Sequence, residues 1–444
     1  MSAFFARHAL LPNGWAENVR FEIDASGNFS AVTPDSSPRG ATPLLGLTLP
    51  GMPNAHSHAF QRVLAGHTEF AGSSADSFWT WREAMYAQLE TIDPDRFEAI
   101  ATDAYATMLE AGYTTVCEFH YVHHAPGGTP YAVRTELADR LVAAARSTGI
   151  ALTLLDVLYR YSDFGNSPPS PQQARFVQSR EAFVDEWLAL RAAYGDDAQI
   201  TLGLAPHSLR AVGMDDVRAL VELAANYGEA APLHVHASEQ LREVDACRAV
   251  HGTTPIDLLA RHVELNRRWC FVHATHATSH ERAAIARANA VAALCPTTEA
   301  NLGDGIFPAA EFTRNGGRIA IGSDSNVSID VADELRSLEY AQRLTLRERN
   351  VLCDESTPSV ARYLYTSAAR GGAQAAGRKT GRLEKDFRAD MIAMEPIEAV
   401  DAEATLAIHV FRSGSWRVRD AICGGRHVVR QGRHAARAAP ADRT

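Results

Sequence analysis

The sequence LPGMPNAHSH occupies positions 49–58 and ends an apolar run with two histidines, His56 and His58, at a spacing of two. Alternate side chains of an extended strand share a face, so both imidazoles can reach one metal ion. A pair of histidines at this spacing is weak evidence by itself, because paired surface histidines are common. Its position strengthens it, since His236 and Asp324 each stand at the end of an apolar, strand-like run further along the chain.

The middle of the chain alternates short apolar strands with helical stretches. The predicted strands are 45–50, 113–119, 150–155, 200–205, 232–237, 269–274, 291–295 and 318–322, and helical patterns include 94–111, 134–148, 217–230 and 281–290. Eight such units predict an α/β fold, a (β/α)8 TIM-like barrel whose active site lies at the carboxyl ends of the strands. An open doubly wound sheet is the alternative, but the chain has no Gly-rich phosphate loop to support it.

The two ends of the chain have a different texture, with alternating polar and apolar residues and hairpin turn signals at 25–28, 424–425 and 431–432. Neither end has enough apolar residues to fold alone, so we expect them to pair into one small β-sandwich domain. The predicted division is 1–48 and 381–434 for the two parts of the β domain, 49–380 for the barrel, and 435–444 for a flexible tail.

Composition limits the possible classes of protein. The chain has 444 residues, of which 46% are hydrophobic and 22% charged, and a formal net charge of −10. These values indicate a globular protein with a large core and argue against nucleic acid or an anionic membrane surface as a partner. The six cysteines are scattered without a C-x-x-C pair, and no segment approaches the ~20 apolar residues that span a bilayer. We expect a cytoplasmic location.

Candidate metal ligands stand at four predicted strand ends. His56 and His58 follow the first strand, His236 the fifth and Asp324 the eighth, while His273 ends the sixth and faces the same space. Three imidazole nitrogens and one carboxylate oxygen suit Zn²⁺ or another divalent transition metal. A single histidine in such a place is more often a core or surface residue. Five such residues at the ends of barrel strands favour a metal site.

Several other side chains near the strand ends are interpreted as structural. They are His234, as a core histidine bonded to the backbone, His276, which lies past its strand end, His123 and His124, as solvated loop residues, and Trp79 and Trp81, as packing for their loop.

The candidate ligands occur in motifs that resemble those of the amidohydrolase superfamily, and in particular its mononuclear deaminase branch. The motifs are HSH at 56–58, HASE at 236–239, His273, and GSDSN at 322–326. The stretches LAGHTE at 64–69, DSFWTWRE at 76–83 and APHSLRAV at 205–212 are more specific, and they resemble the formimidoylglutamate deiminase family. This resemblance covers the whole chain. It implies hydrolysis of N-formimidoyl-L-glutamate to N-formyl-L-glutamate and ammonia, a step in histidine breakdown, and a homodimer.

The positions of the lysines predict how many metal ions the active site holds. Binuclear barrel hydrolases of this general kind bridge two ions with a carboxylated lysine from a barrel strand. Here Lys379 is the first lysine of the chain. The active site is therefore predicted to hold one Zn²⁺ or other divalent transition metal ion per subunit.

Two arginines are the candidates for binding a small dicarboxylate substrate. A guanidinium group can bind a carboxylate through two parallel hydrogen bonds, which suits Arg82 and Arg210 to this role. The resemblance adds Gln61, Tyr121 and His207 as further substrate contacts, all on loops after strands one, two and four. A solvated surface charge is the alternative interpretation of each arginine.

The catalytic roles follow the motifs. Zinc lowers the pKa of a bound water towards ~7, and Asp324 can orient that water and accept its proton. Glu239, three residues beyond His236, can carry a proton to the departing nitrogen. His273 can hold the attacking water or stabilise the tetrahedral intermediate.

Two alternatives stay open. The chain could deaminate a nucleobase or related heterocycle, in which case planar amide contacts and stacking would be expected in place of two arginines. It could instead be a non-catalytic barrel that only binds partners. Such relatives typically lose metal ligands, whereas this chain keeps them together with Glu239.

Overall fold

A computed structural model describes residues 2–70, 77–226, 231–435 and 437 of the chain. The described residues form sixteen strands in two eight-stranded sheets. In chain order the strands are β1 (Ser2–Leu11), β2 (Gly14–Ile23), β3 (Phe29–Thr33), β4 (Thr42–Pro50), β5 (Met52–Ser57), β6 (Tyr113–His120), β7 (Ala151–Leu158), β8 (Ile200–Pro206), β9 (Leu233–Ala237), β10 (Trp269–His273), β11 (Val291–Leu294), β12 (Arg318–Ile321), β13 (Met391–Met394), β14 (Val418–Cys423), β15 (Arg426–Arg430) and β16 (Arg433–His434).

Strands β5 to β12 form the predicted barrel. They pair in sequence order, each parallel to the next, and a parallel bridge between Ser57 and Asp324 joins the last strand to the first. These strands are covered on both faces, which is why they are short, nearly continuous apolar runs. Their carboxyl ends therefore meet at one mouth, where the site residues are carried.

Helices connect and cover the barrel strands. The helices of the described residues are α1 (Phe78–Leu89), α2 (Pro94–Ala111), α3 (Glu136–Thr148), α4 (Arg180–Tyr194), α5 (Met214–Asn226), α6 (Leu241–His251), α7 (Pro255–His262), α8 (Ser279–Arg287), α9 (Pro296–Leu302), α10 (Ala309–Arg314), α11 (Val331–Leu346), α12 (Val360–Ala375) and α13 (Ala402–Phe411), with 3₁₀ turns at Ala59–Leu64, Pro126–Gly128 and Pro171–Gln173. None of these helices combines the length and the apolar character needed to cross a bilayer.

Helix α2 shows how local signals set element bounds. The Asp93 side chain accepts a hydrogen bond from the Arg96 amide at 2.8 Å, and Pro94 occupies the first turn, where its missing N–H costs nothing. Gly112 has φ 100° and ends the helix in the left-handed region that favours glycine. The predicted and observed bounds of this helix agree, and the other predicted helices shift by a few residues, with 227–230 outside the described residues.

The chain ends form the second sheet, in the order β16-β15-β14-β13-β4-β1-β2-β3. All its pairs are antiparallel except β1 with β4. The sheet curls so that Phe21 and Phe29 from the N-terminal half share a core with Met391 and Ile422 from the C-terminal half. The prediction of a second β unit built from both chain ends is confirmed.

The prediction that residues 45–50 form the first barrel strand is wrong. Those residues belong to β4 of the second sheet, and the first barrel strand is β5. The chain changes sheets at Gly51, where a Cβ would overlap the Thr114 side chain. Both strands are apolar because both are buried, so the sequence pattern does not show where one sheet ends and the next begins. His56 consequently lies within a barrel strand and not after it.

Helix α13 and the predicted tail are two further points at which the structure and the predictions are compared. Helix α13 interrupts the C-terminal part of the second sheet, where only strands and turns were predicted. Most of the predicted tail, 435–444, lies outside the described residues, as does Asp76 of the DSFWTWRE stretch. Within the tail, Arg437 pairs with Asp103 and Glu110 on α2.

Helix α12 packs against the barrel at unusually close range, and this predicts a stability effect. A Cβ on Gly371 would overlap the carbonyl oxygen of Ile319 in β12. Gly371→Ala is therefore expected to destabilise the fold by about 1–3 kcal/mol despite the better helix propensity of alanine. Ser367→Ala on the same helix is the control, expected within about 0.5 kcal/mol of wild type. Denaturant unfolding monitored by circular dichroism measures both, and equal stability of the two variants would contradict the close packing.

Candidate active site

Three histidine side chains converge at the mouth of the barrel. The Nε2 atom of His56 lies 3.0 Å from Nε2 of His58 and 3.0 Å from Nε2 of His236. His56 lies in β5, His58 immediately after it and His236 in β9, so the strands themselves set these positions. All three side chains are buried. The first part of the predicted site is thus assembled from the expected residues.

Backbone carbonyl groups determine which ring nitrogen of these histidines is free. Nδ1 of His58 donates to the carbonyl oxygen of Phe119 at 3.1 Å, and Nδ1 of His236 donates to that of His207 at 2.9 Å. In the neutral rings this leaves the Nε2 lone pairs pointing towards one another. Burial lowers the pKa of His58 to about 3 and lowers the pKa of His236 well below its ordinary value. Neutral imidazoles with converging lone pairs are the form that binds a metal ion.

Asp324 supplies the fourth donor. Its Oδ1 atom lies 3.4 Å from Nε2 of His58 and 3.5 Å from Nε2 of His56. Burial raises the pKa of the Asp324 carboxyl to about 7. The residue adopts φ 46° three positions after β12, and its backbone amide donates to the His56 carbonyl oxygen at 2.9 Å. A left-handed backbone at a non-glycine residue is uncommon and is maintained here by the pairing of the last strand with the first.

The four donors fit a divalent transition metal ion. They are three nitrogens and one carboxylate oxygen, a set that suits zinc. His58 and His236 each donate their other ring nitrogen to a backbone carbonyl, which is the usual support of a metal-binding histidine. Without a cation, the facing lone pairs and the buried carboxylate would repel one another. The donor chemistry therefore supports a metal centre at this place.

His273 links this centre to two further carboxylates. Its Nε2 atom lies 3.6 Å from Oδ2 of Asp324 and 3.8 Å from Oε1 of Glu239, and its Nδ1 atom lies 3.2 Å from Oε1 of Glu299. Burial alone would lower the pKa of His273, but the surrounding carboxylates together raise it well above its ordinary value. The side chain is thus placed as a cation between the donors and Glu239.

The predicted substrate contacts lie around one cavity of about 580 Å³ next to the four donors. Residues from the predictions that line it are Gln61, Arg82, Tyr121, His207, Arg210, Glu239, His273 and Asp324, together with the candidate ligands His58 and His236. Nε2 of Gln61 donates to the Tyr121 hydroxyl at 2.9 Å. Gln61 lies on a 3₁₀ turn and Arg82 on α1, so these two belong to short helices and not to the loops that were expected.

Two guanidinium groups face this cavity. Arg210 is 5% exposed, and the Nε atoms of Arg82 and Arg210 have no hydrogen-bond partner among the described residues. The ring of Trp79 lies 4.5 Å from the guanidinium carbon of Arg82 and 5.7 Å from that of Arg210. Buried donors without partners are costly, so an acceptor from a ligand would stabilise this arrangement.

Several lining residues were missed or assigned differently from the sequence. Trp81 lines the cavity and also packs against the core, so its interpretation as packing stays a prediction. Aromatic walls come from Tyr86, Tyr159 and Phe176, and of these Tyr159 stands directly after β7, where its position could have indicated it. Glu299, the partner of His273, lies on α9 outside the cavity lining and was also missed.

The remaining histidines behave in two ways. His234 is buried and its Nε2 donates to the Ala375 carbonyl oxygen at 2.8 Å, as predicted for a core histidine. His276 bonds the Asp304 carbonyl oxygen and stays outside the cavity lining. The prediction of solvated His123 and His124 is wrong, because both are buried beneath the barrel-to-helix layer. The backbone amides of both residues donate to the carbonyl oxygen of Arg175, which lies 51 or more residues further along the chain, and a local pattern does not reveal this contact.

The chain matches two family models. One is described as the amidohydrolase family and covers residues 47–428, and the other as formimidoylglutamate deiminase HutF, N-terminal domain, and covers residues 1–43.

Similar proteins extend over nearly the whole chain. Formimidoylglutamate deiminase of Pseudomonas aeruginosa is 49% identical over 98% of this chain and 96% of its own length. The 8-oxoguanine deaminase of the same organism is 28% identical over 85% of this chain and 84% of its own length. The crystal structure of an amidohydrolase from Brucella melitensis superposes with a TM-score of 0.93, at 43% identity, over 98% of this chain and 96% of that one.

Proposed function

The chain belongs to the amidohydrolase family, and we propose that it hydrolyses N-formimidoyl-L-glutamate to N-formyl-L-glutamate and ammonia. The observation that carries this proposal is that three of the four candidate metal donors, His58, His236 and Asp324, line one cavity together with the guanidinium groups of Arg82 and Arg210. A metal centre suits hydrolysis of the formimidoyl carbon–nitrogen bond, and the guanidinium groups suit the two carboxylates of the substrate. The near full-length similarity to the Pseudomonas aeruginosa deiminase supports the same reaction.

The direct test is the reaction itself. Protein loaded with Zn²⁺ is incubated with N-formimidoyl-L-glutamate, and ammonia and N-formyl-L-glutamate are quantified together. Equal amounts of both products are expected. Ammonia release without N-formyl-L-glutamate, or no turnover of this substrate, would contradict the proposed function.

We propose that one divalent ion, Zn²⁺ or another transition metal, is bound in the catalytic centre by His56, His58, His236 and Asp324. Such an ion would lower the pKa of a bound water towards ~7 and so provide a nucleophile at neutral pH. The other groups of the site belong to the chain itself. Oδ2 of Asp324 faces His273, so this oxygen can orient the attacking water and accept its proton.

His273 and Glu239 can complete the reaction. His273 carries positive charge beside the donors, where it can stabilise negative charge that develops on attack at the formimidoyl carbon. Glu239 is buried, lines the cavity and lies beside His273, so it can hand a proton to the amine nitrogen that leaves as ammonia. Both roles require the substrate carbon to lie between the metal centre and Glu239.

Arg210→Met is expected to raise KM for N-formimidoyl-L-glutamate more than tenfold while changing kcat less. Losing one charged hydrogen-bonding partner costs about 1.5–3 kcal/mol, which corresponds to about 10- to 150-fold in binding. Steady-state kinetics with this substrate and with N-formimidoylglycine, which has one carboxylate, measures the effect. The larger change is expected for the dicarboxylate.

Arg242→Met is the matched control for this experiment. Arg242 also contacts Trp79, at 4.2 Å from its guanidinium carbon to the ring centroid, but it is exposed and does not line the cavity. Near wild-type KM is expected for this variant. An unchanged KM in Arg210→Met, or the same change in both variants, would remove Arg210 from substrate binding.

A heterocycle deaminase is the second candidate, favoured by the aromatic side chains that line the cavity. Tyr86, Tyr159 and Phe176 could stack against a planar ring. A panel of nucleobases assayed for ammonia release distinguishes the two reactions. Turnover of a nucleobase above that of N-formimidoyl-L-glutamate would favour this candidate.

We also propose an oligomeric state and a cellular location for the protein. We infer a homodimer that works in the cytoplasm, in keeping with the resemblance to the deiminases and with six free cysteines. Light scattering after size-exclusion chromatography tests the first point, because a dimer has twice the mass of the 444-residue chain.

A further inference from the structure

A second group of buried histidines and carboxylates lies on the opposite face of β6 from the catalytic centre. His120 ends β6, and its parallel partner in β7 is Asp156, so both side chains point out of the barrel on neighbouring strands. Glu186 reaches them from α4, and His123 from the loop after β6. Each of the four residues is 3% exposed or less. We call His120, His123, Asp156 and Glu186 the outer cluster.

The hydrogen bonds of the outer cluster are incomplete. Nε2 of His123 donates to the Val157 carbonyl oxygen at 2.9 Å, which leaves Nδ1 3.3 Å from Oε1 of Glu186. In a neutral ring that nitrogen carries a lone pair, and it would then face a carboxylate oxygen. Among the described residues, Nε2 of His120, both oxygens of Asp156 and Oε2 of Glu186 have no hydrogen-bond partner. Leaving so many buried polar atoms unpaired is costly.

The charges of the outer cluster are also unbalanced. Asp156 and Glu186 are two buried carboxylates, and within the described part of the chain the ion pair of Glu186 with His123 is the only one that either makes. Each carboxylate destabilises the ionised form of the other, and burial and Glu186 together raise the pKa of Asp156 well above its ordinary value. Burial lowers the pKa of His123, but Glu186 and Asp156 together raise it to about 9. This imidazole therefore faces two buried carboxylates, and neither carboxylate has an arginine or lysine partner among the described residues.

We propose that the outer cluster binds a divalent transition metal ion, separate from the ion of the catalytic centre. Ligand atoms of His120, His123 and Glu186 lie within 4.8 Å of one another. Asp156 is the strand partner of His120 and adds a buried carboxylate next to these three residues. Two imidazole nitrogens and one carboxylate oxygen suit Zn²⁺. His123 already donates its other ring nitrogen to a backbone carbonyl, the same support that His58 and His236 receive in the catalytic centre.

An ion bound by the outer cluster would stabilise the fold and would take no part in the reaction. It would add a link between the ends of β6 and β7, the following loop and helix α4, beyond the strand pairing and the hydrogen bond from His123 to the Val157 carbonyl oxygen. The neighbouring residue Phe119 points to the other face of β6, where its carbonyl holds His58, and Tyr121 two residues later lines the cavity. An ion in the outer cluster would therefore stabilise, from the outer face of β6, the segment that carries Tyr121 in the cavity wall.

Zinc content and position test the proposal on the full-length protein. Wild type purified with zinc is expected to contain two equivalents per chain by mass spectrometry of the metal. Anomalous diffraction at the zinc edge is expected to show two peaks, one among His56, His58, His236 and Asp324 and one within the outer cluster. One equivalent in total, or a second peak elsewhere, would overturn the proposal. Neither result at the outer cluster depends on the reaction proposed for the catalytic centre.

Zinc content of single and double variants shows which site holds each zinc equivalent. His120→Gln and His236→Gln are each expected to retain one zinc, and the double variant none, because loss of a direct ligand is expected to weaken binding by at least about 100-fold. His124→Gln is the matched control: His124 is the neighbour of His123, bonds the Val177 carbonyl oxygen and lies outside the outer cluster, so two equivalents are expected. Two equivalents in folded His120→Gln would contradict the proposal.

Thermal unfolding supplies a readout that does not require activity. The His236→Gln variant is expected to gain melting temperature on addition of zinc, since an ion that binds only the folded state stabilises it. The double variant is expected to show no such gain. A gain of equal size in both variants would place the stabilising ion elsewhere. If His120→Gln does not fold, the zinc-edge map of wild type decides the question by itself.

Discussion

Glu239→Gln is expected to lower kcat by ~10² to 10⁴-fold while the protein keeps its catalytic metal ion, since that is the usual contribution of a general acid or base. The glutamine keeps the shape of the side chain but cannot carry the proton to the leaving nitrogen. Glu239 makes no direct contact with the four metal donors in the described geometry; its Oε1 atom lies 3.8 Å from Nε2 of His273. Zinc content and ammonia release measured on the same preparation test both halves of the expectation.

Glu222→Gln is the control for this substitution. Glu222 is an exposed residue of α5, so the same chemical change is made away from the cavity and should leave kcat at the wild-type value. Wild-type turnover in Glu239→Gln would exclude it from proton transfer.

His236→Gln is expected to abolish the zinc of the catalytic centre and to lower kcat/KM by at least about 10³-fold, because a bound ion contributes several kcal/mol to such hydrolyses. The substitution removes one of the three Nε2 atoms that converge within 3.0 Å of their neighbours. Metal analysis and kinetics on the purified variant measure the two effects. Wild type stripped of metal by a chelator should show the same loss and recover when zinc is returned.

His276→Gln separates this effect from the loss of any histidine at a strand end. His276 stands three residues past β10 and bonds the Asp304 carbonyl oxygen, so activity and zinc content should remain near wild type. Full activity of His236→Gln without metal would contradict a metal-dependent reaction.

The periodic features of the sequence predicted the barrel well because they have a direct physical cause. A parallel strand buried on both faces must be a short apolar run, and its carboxyl end must open onto the shared mouth. His273 at the end of β10 and Asp324 after β12 could be placed on that basis. The same pattern misplaced the first barrel strand, because β4 and β5 are equally buried and differ only in the sheet that they join.

Side chains outside the periodic pattern were harder to place. His123 is polar and follows a strand, which is typical of a solvated loop residue, yet it is buried against Glu186 of α4. Glu186 is 63 residues further along the chain, and no local pattern connects the two. The same holds for Tyr86 and Phe176, which come from separate elements and pack against each other in the cavity wall, with ring centroids 5.9 Å apart.

The sequence by itself determined the barrel, the pairing of the chain ends into a second sheet and the residue types of a metal centre, because burial and strand period act on neighbours along the chain. Only the tertiary structure decided that Nε2 of His56 lies 3.0 Å from Nε2 of both His58 and His236. It also decided that the Arg82 and Arg210 guanidinium groups share a cavity with these histidines, and that a second set of candidate donors lies on the other face of β6. Apart from the contact of His56 with His58, these contacts join residues far apart in the chain, and they depend on how strands and helices pack, which no local stretch encodes alone.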